Sequence, residues 1–334
     1  MIVRIGARTS PLARAQADHV ADLLRARGFA TGFVGITTHG DVDQRSLTQI
    51  GGTGVFVGAV REALYQRRID VAVHSLKDLP TMPAPDLEIA AIPSREDTRD
   101  VLVGRTVASL ADGDRIATGS PRRALQLGEL ADRLQIALQV VDIRGNLDTR
   151  IAHAADGRVA AVVLAAAGLR RIGHLREPEA HQHGDDSITV VKGLPAQVLS
   201  AADMVPAPGQ AALALEIHRS LGNATAAAVR CLNDPVAHAE TLAERAFLAT
   251  LEAGCTAPVG ALATVDAVRG RDLDLTLAVV IGRTLLSNSS ESRNAASFLR
   301  RTLSRTTTDP RQFGVEAASS ILKELRTPQR ARHA

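Results

Sequence analysis

Five stretches of this chain gather residue types that do chemistry. Ser120-Pro121-Arg122-Arg123 puts two guanidinium groups into the first turn of a helix, just behind a strand that ends near Thr118. Cations there oppose the helix dipole, so the arrangement favours an anion held among the free amides and the arginines. The alternative is a solvated surface pair. The stretch Arg144 to Arg150 (RGNLDTR) follows another strand and adds two arginines around a turn, and Arg170 and Arg171 come half a helix after a third. Strand ends of open α/β sheets are where ligands bind. Three such junctions facing one edge describe a mouth for a ligand with several carboxylates or phosphates; coincident surface charge is the plainer reading.

In His74 to Pro80 (HSLKDLP) an apolar strand ends in titratable side chains. Asp78 beside Lys77 can serve as an active-site acid or base, or form a local ion pair in a turn. His74 equally suits a satisfied core position. Cys255 sits in a loop after a helix whose end Gly254 marks. Cys231, between Val229 and Leu232 in a helical stretch, reads as a buried small hydrophobe. No neighbouring His or Asp marks Cys255 as a protease-like nucleophile. His181, His183, Asp185 and Asp186 match no firm metal-ligand spacing, so no metal is expected.

The elements that must position these residues alternate. Strands are expected at Val3 to Ile5, Gly32 to Thr37, Ile69 to Val73 and Leu87 to Ile92, with a helix from the Ser10-Pro11 cap to about Arg27 and another near Phe56 to Gln66. A second set has strands at Val101 to Val103, Arg115 to Thr118, Leu138 to Asp142 and Val159 to Leu164, with helices after Ser120, Asn146 and Ala165. Both sets predict doubly wound, mostly parallel α/β sheets. His174 to Gly209, rich in Pro, Gly, His and acidic residues, reads as a connection. A strand at Ala211 to Ile217 and a helix at Thr225 to Leu232 are too little for a domain and should return to the first. From Asp234 a long helix to Leu251, alternating strands at Val259 to Val265 and Leu273 to Ile281, and a helix at Phe313 to Leu325 suggest a smaller α+β unit with an antiparallel sheet. The expected domains are 1–94 with 211–230, 99–204 and 234–326, followed by a disordered basic tail, 327–334.

At 334 residues the chain can bury more than one core. No apolar run is long enough to span a bilayer, and the N-terminus lacks secretory-signal features, which predicts a cytoplasmic protein without membrane contact. Two cysteines in such a chain are poor evidence for a disulfide. Aromatics make up 2% with no tryptophan, which argues against nucleic-acid binding through stacking platforms.

In this order, the segments resemble the porphobilinogen deaminase (hydroxymethylbilane synthase) family from about Ile2 to Leu325. The likeness is carried by Arg8 to Ala13 (RTSPLA), HSLKDLP, Arg95-Glu96-Asp97, the arginine pair after Ser120, RGNLDTR, Ala165 to Gly173 (AAAGLRRIG), Pro208-Gly209-Gln210, Ala243 to Ala246 (AERA) and the Cys255 loop. The resemblance implies two lobes like type II periplasmic binding proteins, a cleft between them, and a third domain bearing the cysteine. It implies a transferase of tetrapyrrole (haem-type) biosynthesis. Four porphobilinogen molecules condense head to tail, each losing ammonia, on a covalent dipyrromethane primer built from substrate, and water releases hydroxymethylbilane.

By that resemblance Cys255 holds the cofactor through a thioether, and Asp78 is the catalytic carboxylate. Loss of ammonia leaves an azafulvenium-like cation, whose charge a carboxylate can stabilise. Lys77, Asp78, Ser120, Arg122, Arg123, Arg144 and Arg150 would also hold the cofactor. Arg8, Ser10, Ser75, Arg144, Arg150, Arg171 and Gln210 would hold the acetates and propionates of the substrate. The family further implies a monomer and a hand-over of product to uroporphyrinogen-III synthase.

The chain departs from frequent family residues at His39 (often Arg), Thr53 (often Lys), Gly119 (often Ser) and Ala211 (often Gly). The first two predict a retuned lid over an intact acid and anchor. Two other classes compete. A solute-binding module explains the arginines but leaves Asp78 and Cys255 without roles, and nucleic-acid binding through the basic tail requires steeply salt-dependent affinity.

Overall fold

The computed structural model describes residues 2–37, 57–176, 187–253, 257–282 and 298–326. Strand β1 (Ile2–Arg8) buries Val3, Ile5 and Ala7 and leads into α1 (Pro11–Arg25). Ser10 caps that helix by accepting from Ala13 N, and Pro11 occupies the first turn, where a missing N–H costs nothing. The face Gln16, Ala17, Val20, Ala21 and Leu24 repeats at helical spacing and turns onto the sheet. Next come β2 (Ala30–Ile36), α2 (Gly58–Tyr65), β3 (Val71–Ser75) and β4 (Leu87–Ala91). β2 and β3 both run parallel to β1. α1 covers one face of the sheet, and α2 covers the other through Val60, Ala63 and Leu64.

The second unit contains β5 (Asp100–Val103), β6 (Arg115–Ala117), α3 (Pro121–Leu134), β7 (Gln139–Val141), α4 (Leu147–Ala155), β8 (Ala161–Ala165) and α5 (Ala166–Arg171). It closes with β9 (Ile188–Val191) and β10 (Leu194–Val198), giving the order β7-β6-β8-β5-β10-β9. β6, β7 and β8 are parallel, whereas the β8–β5, β5–β10 and β10–β9 pairings are antiparallel. The sheet is therefore mixed rather than mostly parallel. The β9–β10 hairpin corrects the expectation of a bare connection there. Lys192 (φ 49°) and Gly193 (φ 82°) supply two consecutive left-handed residues, the requirement of a tight hairpin turn.

β11 (Leu213–His218) then returns to the first sheet, antiparallel between β3 and β4, for an order β2-β1-β3-β11-β4. α6 (Asn223–Arg230) adds Ala226, Ala228 and Val229 to the core beneath α1. Cys231 is exposed, which corrects its reading as a buried hydrophobe. It follows the last turn of α6, its thiol donates back to Ala228 O, and Leu232 takes the inward position instead.

The last unit opens with α7 (Pro235–Thr250), capped by Asp234, whose carboxylate accepts from Val236 N and Ala237 N. It continues through β12 (Val259–Arg269), β13 (Asp272–Gly282), β14 (Phe298–Thr307) and α8 (Pro310–Arg326). The three strands form an antiparallel sheet whose Leu275, Leu277 and Val279 pack on Phe247, Phe313 and Ile321. β14 was not expected: its exposed positions carry Arg301, Ser304 and Arg305, and such charged edge strands lack an apolar signature. The architecture is α/β in two doubly wound units with a smaller α+β unit. Among the described residues, no helix is long and apolar enough to cross a membrane.

Candidate active site

β3 ends in a 3₁₀ turn, Leu76–Asp78. Leu76 and Leu79 are buried with Val57, Ile92, Ala212 and Ala214, each contributing about 1.5–3 kcal/mol by leaving water. The two leucines pin the turn at both ends, so Lys77 and Asp78 face the other way, with Asp78 exposed. Gly209, at φ 73°, crosses this turn closely. A Cβ there would lie 3.0 Å from Leu76 Cγ and 3.3 Å from Lys77 N, in a conformation side chains resist.

Lys77 Nζ donates to Gln210 Oε1 at 3.3 Å. Gln210 is fully buried, and its amide donates to Thr98 O (2.7 Å) and Asp100 Oδ1 (2.8 Å). Its side chain is thus committed inside the protein, bridging the two segments that cross between the sheets. Asp100 is itself completely buried and accepts from Arg122 Nη2 and Arg123 Nη2, both at 2.7 Å. Val205 O and Val163 O take one further donor from each arginine.

The first-turn arginines of α3 therefore already face one anion, supplied by the protein. Lys77, Arg122 and Arg123 share this place with the carboxylates of Asp100 and the neighbouring Asp78. Burial pushes Lys77 down to about 8, with Asp78 and Asp100 opposing that shift and Arg123 and Arg122 adding to it. Burial also acts to raise Asp100, but the two arginines outweigh it and hold the carboxyl well below the usual range. Among the described residues, the Nε atoms of Arg122, Arg123 and Arg144 are buried without a hydrogen-bond partner. A cluster of guanidinium and ammonium groups suits a ligand carrying several carboxylates.

Because β6, β7 and β8 are parallel, the loops after them share one edge. Arg144 Nε lies 3.5 Å from Asp142, and Arg150 Nε donates to Gly145 O at 2.8 Å. Burial lowers the Arg150 pKa, Arg123 and Arg144 lower it further, and Asp142 and Asp78 oppose. Arg150 thus feels Asp78, which belongs to the other sheet. Gly119 lets the loops after β6 and β7 touch, since a Cβ there would come within 2.9 Å of Ile143 O. Ser120 caps α3 by accepting from Arg123 N.

Not every expected residue joins this cluster. Arg8 and Ser10 sit where β1 meets α1, at the same end of the first sheet as the Asp78 turn. The Ser75 hydroxyl is paired with the Gln16 amide. Arg171 donates to Ala211 O and lines a groove of about 630 Å³ with His19, Arg27, Glu96 and Arg170. Burial lowers its pKa to about 10 against the pull of Glu96. Arg170 turns to Glu96 (2.8 Å) and Asp97 (3.0 Å). His74 is buried 3.4 Å from Glu216, a core position.

Cys255, with Gly254 and Thr256, lies outside the described residues, as do His39, Thr53, His181, His183, Asp185, Asp186 and the tail 327–334. α7 ends at Thr250 with Leu251 as its C-cap, and the left-handed residue after it is Glu252 (φ 53°), ahead of the glycine expected to mark that end. Ala211, where the family often has glycine, sits at φ 71°. Asp100 and Glu244 were missed as site residues. The one available signal was a carboxylate at the head of an otherwise apolar strand, Asp100 to Val103.

Residues 3–225 match the family model "Porphobilinogen deaminase, dipyromethane cofactor binding domain", and residues 238–323 match "Porphobilinogen deaminase, C-terminal domain". Porphobilinogen deaminase 1 of Streptomyces coelicolor is 46% identical over 286 residues, 84% of each chain. Porphobilinogen deaminase of Leifsonia xyli subsp. xyli is 47% identical over 272 residues, 79% of this chain and 76% of that one. Among solved structures, a periplasmic substrate-binding protein of an ABC transporter from Coxiella burnetii aligns with 70% of this chain and 93% of its own, at 15% identity and a TM-score of 0.38. By its matching domains and its identity to these relatives over most of its length, the chain belongs to the porphobilinogen deaminase family.

Proposed function

We propose that this chain condenses four porphobilinogen molecules head to tail, with release of ammonia, and frees hydroxymethylbilane by hydrolysis. The observation that carries the reading is the Asp78 carboxylate within electrostatic reach of Lys77 and Arg150, beside the buried Arg122–Asp100–Arg123 cluster. When bound, the dipyrromethane cofactor supplies the terminal pyrrole to which each new unit is joined. Cys255 is its thioether anchor. Lys77, Arg122, Arg123, Arg144 and Arg150 hold its carboxylates, and Ser120 orders the helix that presents two of them.

The chemistry falls to few groups. Departure of ammonia from porphobilinogen leaves positive charge on the pyrrole. Asp78, exposed at the tip of a pinned turn, stabilises that charge and accepts hydrogen bonds from pyrrole nitrogens. Arg8, Ser10, Arg144, Arg150 and Arg171 orient the acetate and propionate groups of the incoming substrate. Ser75 and Gln210 act from behind, through Gln16 and through Lys77 and Asp100. The enzyme works as a cytoplasmic monomer and passes its product to uroporphyrinogen-III synthase.

Intact mass of the protein tests this reading. Incubation with porphobilinogen should add a dipyrromethane to the wild type and nothing to Cys255→Ser, and only the former should release a product that oxidises to a porphyrin. An unmodified wild type without turnover would instead mark a polyanion-binding module.

A further inference from the structure

Helix α7 reaches back to the turn that carries Asp78. Arg245 Nη1 donates to Leu79 O at 2.9 Å and lies 3.5 Å from Leu76 O, while Nη2 donates to Pro80 O at 2.8 Å. These carbonyls bracket Asp78 in the chain. The turn itself closes with one main-chain bond, Leu79 N to Leu76 O at 3.1 Å. A turn so short, pinned by buried Leu76 and Leu79, leaves carbonyls that need outside donors, and a planar guanidinium can serve several at fixed angles.

The helix holding that fork is itself locked. The neighbouring Glu244, fully buried, accepts from Arg95, from Gly209 N at 2.6 Å and from Ala263 N at 2.8 Å. α7 is thereby fastened to both crossing segments and to β12. Ala237, near its start, joins the same apolar cluster as Leu76 and Leu79. The Asp78 turn thus rests on the third unit of the protein as well as on its own sheet.

From this geometry we infer that Arg245 is a positioning residue for Asp78, fixing the Leu76–Pro80 turn through its carbonyls so that the carboxylate meets the reacting pyrrole. The contacts of Arg245 to this turn are to main-chain carbonyls. The inference rests on the assignment of Asp78 as the catalytic carboxylate.

Steady-state kinetics of the cofactor-loaded enzyme test it, using Arg245→Met, Arg245→Lys, Asp78→Asn and the double variant Asp78→Asn/Arg245→Met. Misplacing a catalytic group by about 1 Å costs on the order of 100-fold, so Arg245→Met should lose about 10- to 100-fold in kcat with KM changed less than about 3-fold. Arg245→Lys, which restores one donor, should recover part of that loss. In the Asp78→Asn background the Arg245 change should cost almost nothing, since the group it positions is gone. A kcat near wild type in Arg245→Met, or an undiminished loss in the double variant, would overturn the inference. If Arg245→Met does not fold, Arg245→Lys carries the same comparison in both backgrounds. Wild-type turnover by Asp78→Asn alone would strike the catalytic assignment beneath it, an outcome separate from the other two.

Discussion

Arg95 and Glu244 form a two-pronged ion pair, Nη1 to Oε1 at 2.8 Å and Nη2 to Oε2 at 2.9 Å, between the first segment crossing from sheet to sheet and helix α7. Arg95 Nε also donates to Gln210 O, on the second crossing segment. Both crossings and the third unit therefore meet at one buried carboxylate. Burial acts to lower the Arg95 pKa, but Glu244 and Glu240 hold it above its ordinary value.

Glu244→Gln should destabilise the protein by about 3–5 kcal/mol, because it takes away the two-pronged carboxylate partner of the buried Arg95 and leaves it the longer contact to Glu240 at 3.4 Å. Urea unfolding followed by circular dichroism measures this directly. The loss should be global rather than confined to activity.

Asp100→Asn removes the carboxylate shared by the buried guanidiniums of Arg122 and Arg123, with an expected cost of the same size, about 3–5 kcal/mol at neutral pH. The pH dependence has a definite sign. Asp100 titrates lower in the folded than in the unfolded chain, so its contribution is complete above the unfolded pKa of about 3.8 and drains away as pH falls below it. The stability gap between wild type and Asp100→Asn should therefore narrow in acid.

Lys77 should titrate near about 8 in cofactor-free protein, because burial disfavours its charge. Between that value and 10.5 the unfolded chain binds the extra proton, so this lysine makes stability rise with pH over that window. Carboxylates of the cofactor should move the titration upward. The lysines of the chain are Lys77, Lys192 and Lys323, and the latter two are exposed, so side-chain NMR of labelled lysine can follow Lys77 against internal references.

Arg144→Ala should weaken retention of cofactor or substrate by roughly 10- to 100-fold, the worth of a charge-assisted hydrogen bond of about 1.5–3 kcal/mol. Arg144 is partly exposed and paired only loosely with Asp142, so the melting temperature should hardly move. Unchanged binding would mean that its guanidinium serves the solvent.

Much of this site was legible in local sequence, for identifiable reasons. Ser10-Pro11 and Ser120-Pro121 announce helix starts because a hydroxyl cap and a proline each solve the same problem of unpaired amides. Arginines behind parallel strands converge because those strands end at one edge. The partner of the arginine pair was not legible. Asp100 precedes Arg122 by a long stretch of chain, and only folding shows that β5 enters antiparallel and delivers a carboxylate under α3. The same holds for Glu244 and Arg245, which lie in adjacent positions of α7 yet serve different segments. Strands β9, β10 and β14 escaped notice where polar or punctuating residues hid the alternation.

The most direct test of the catalytic account is turnover by Asp78→Asn loaded with preassembled cofactor. The substitution keeps the shape of the turn, since Leu76, Leu79 and the carbonyl contacts of Arg245 are untouched, and removes only the charge proposed to meet the developing pyrrole cation. The enzyme should fold, retain its cofactor by mass, and consume porphobilinogen at least 100-fold more slowly, in line with the roughly 100- to 1,000-fold cost of losing one stabilising group. A rate within a few-fold of wild type would contradict the account.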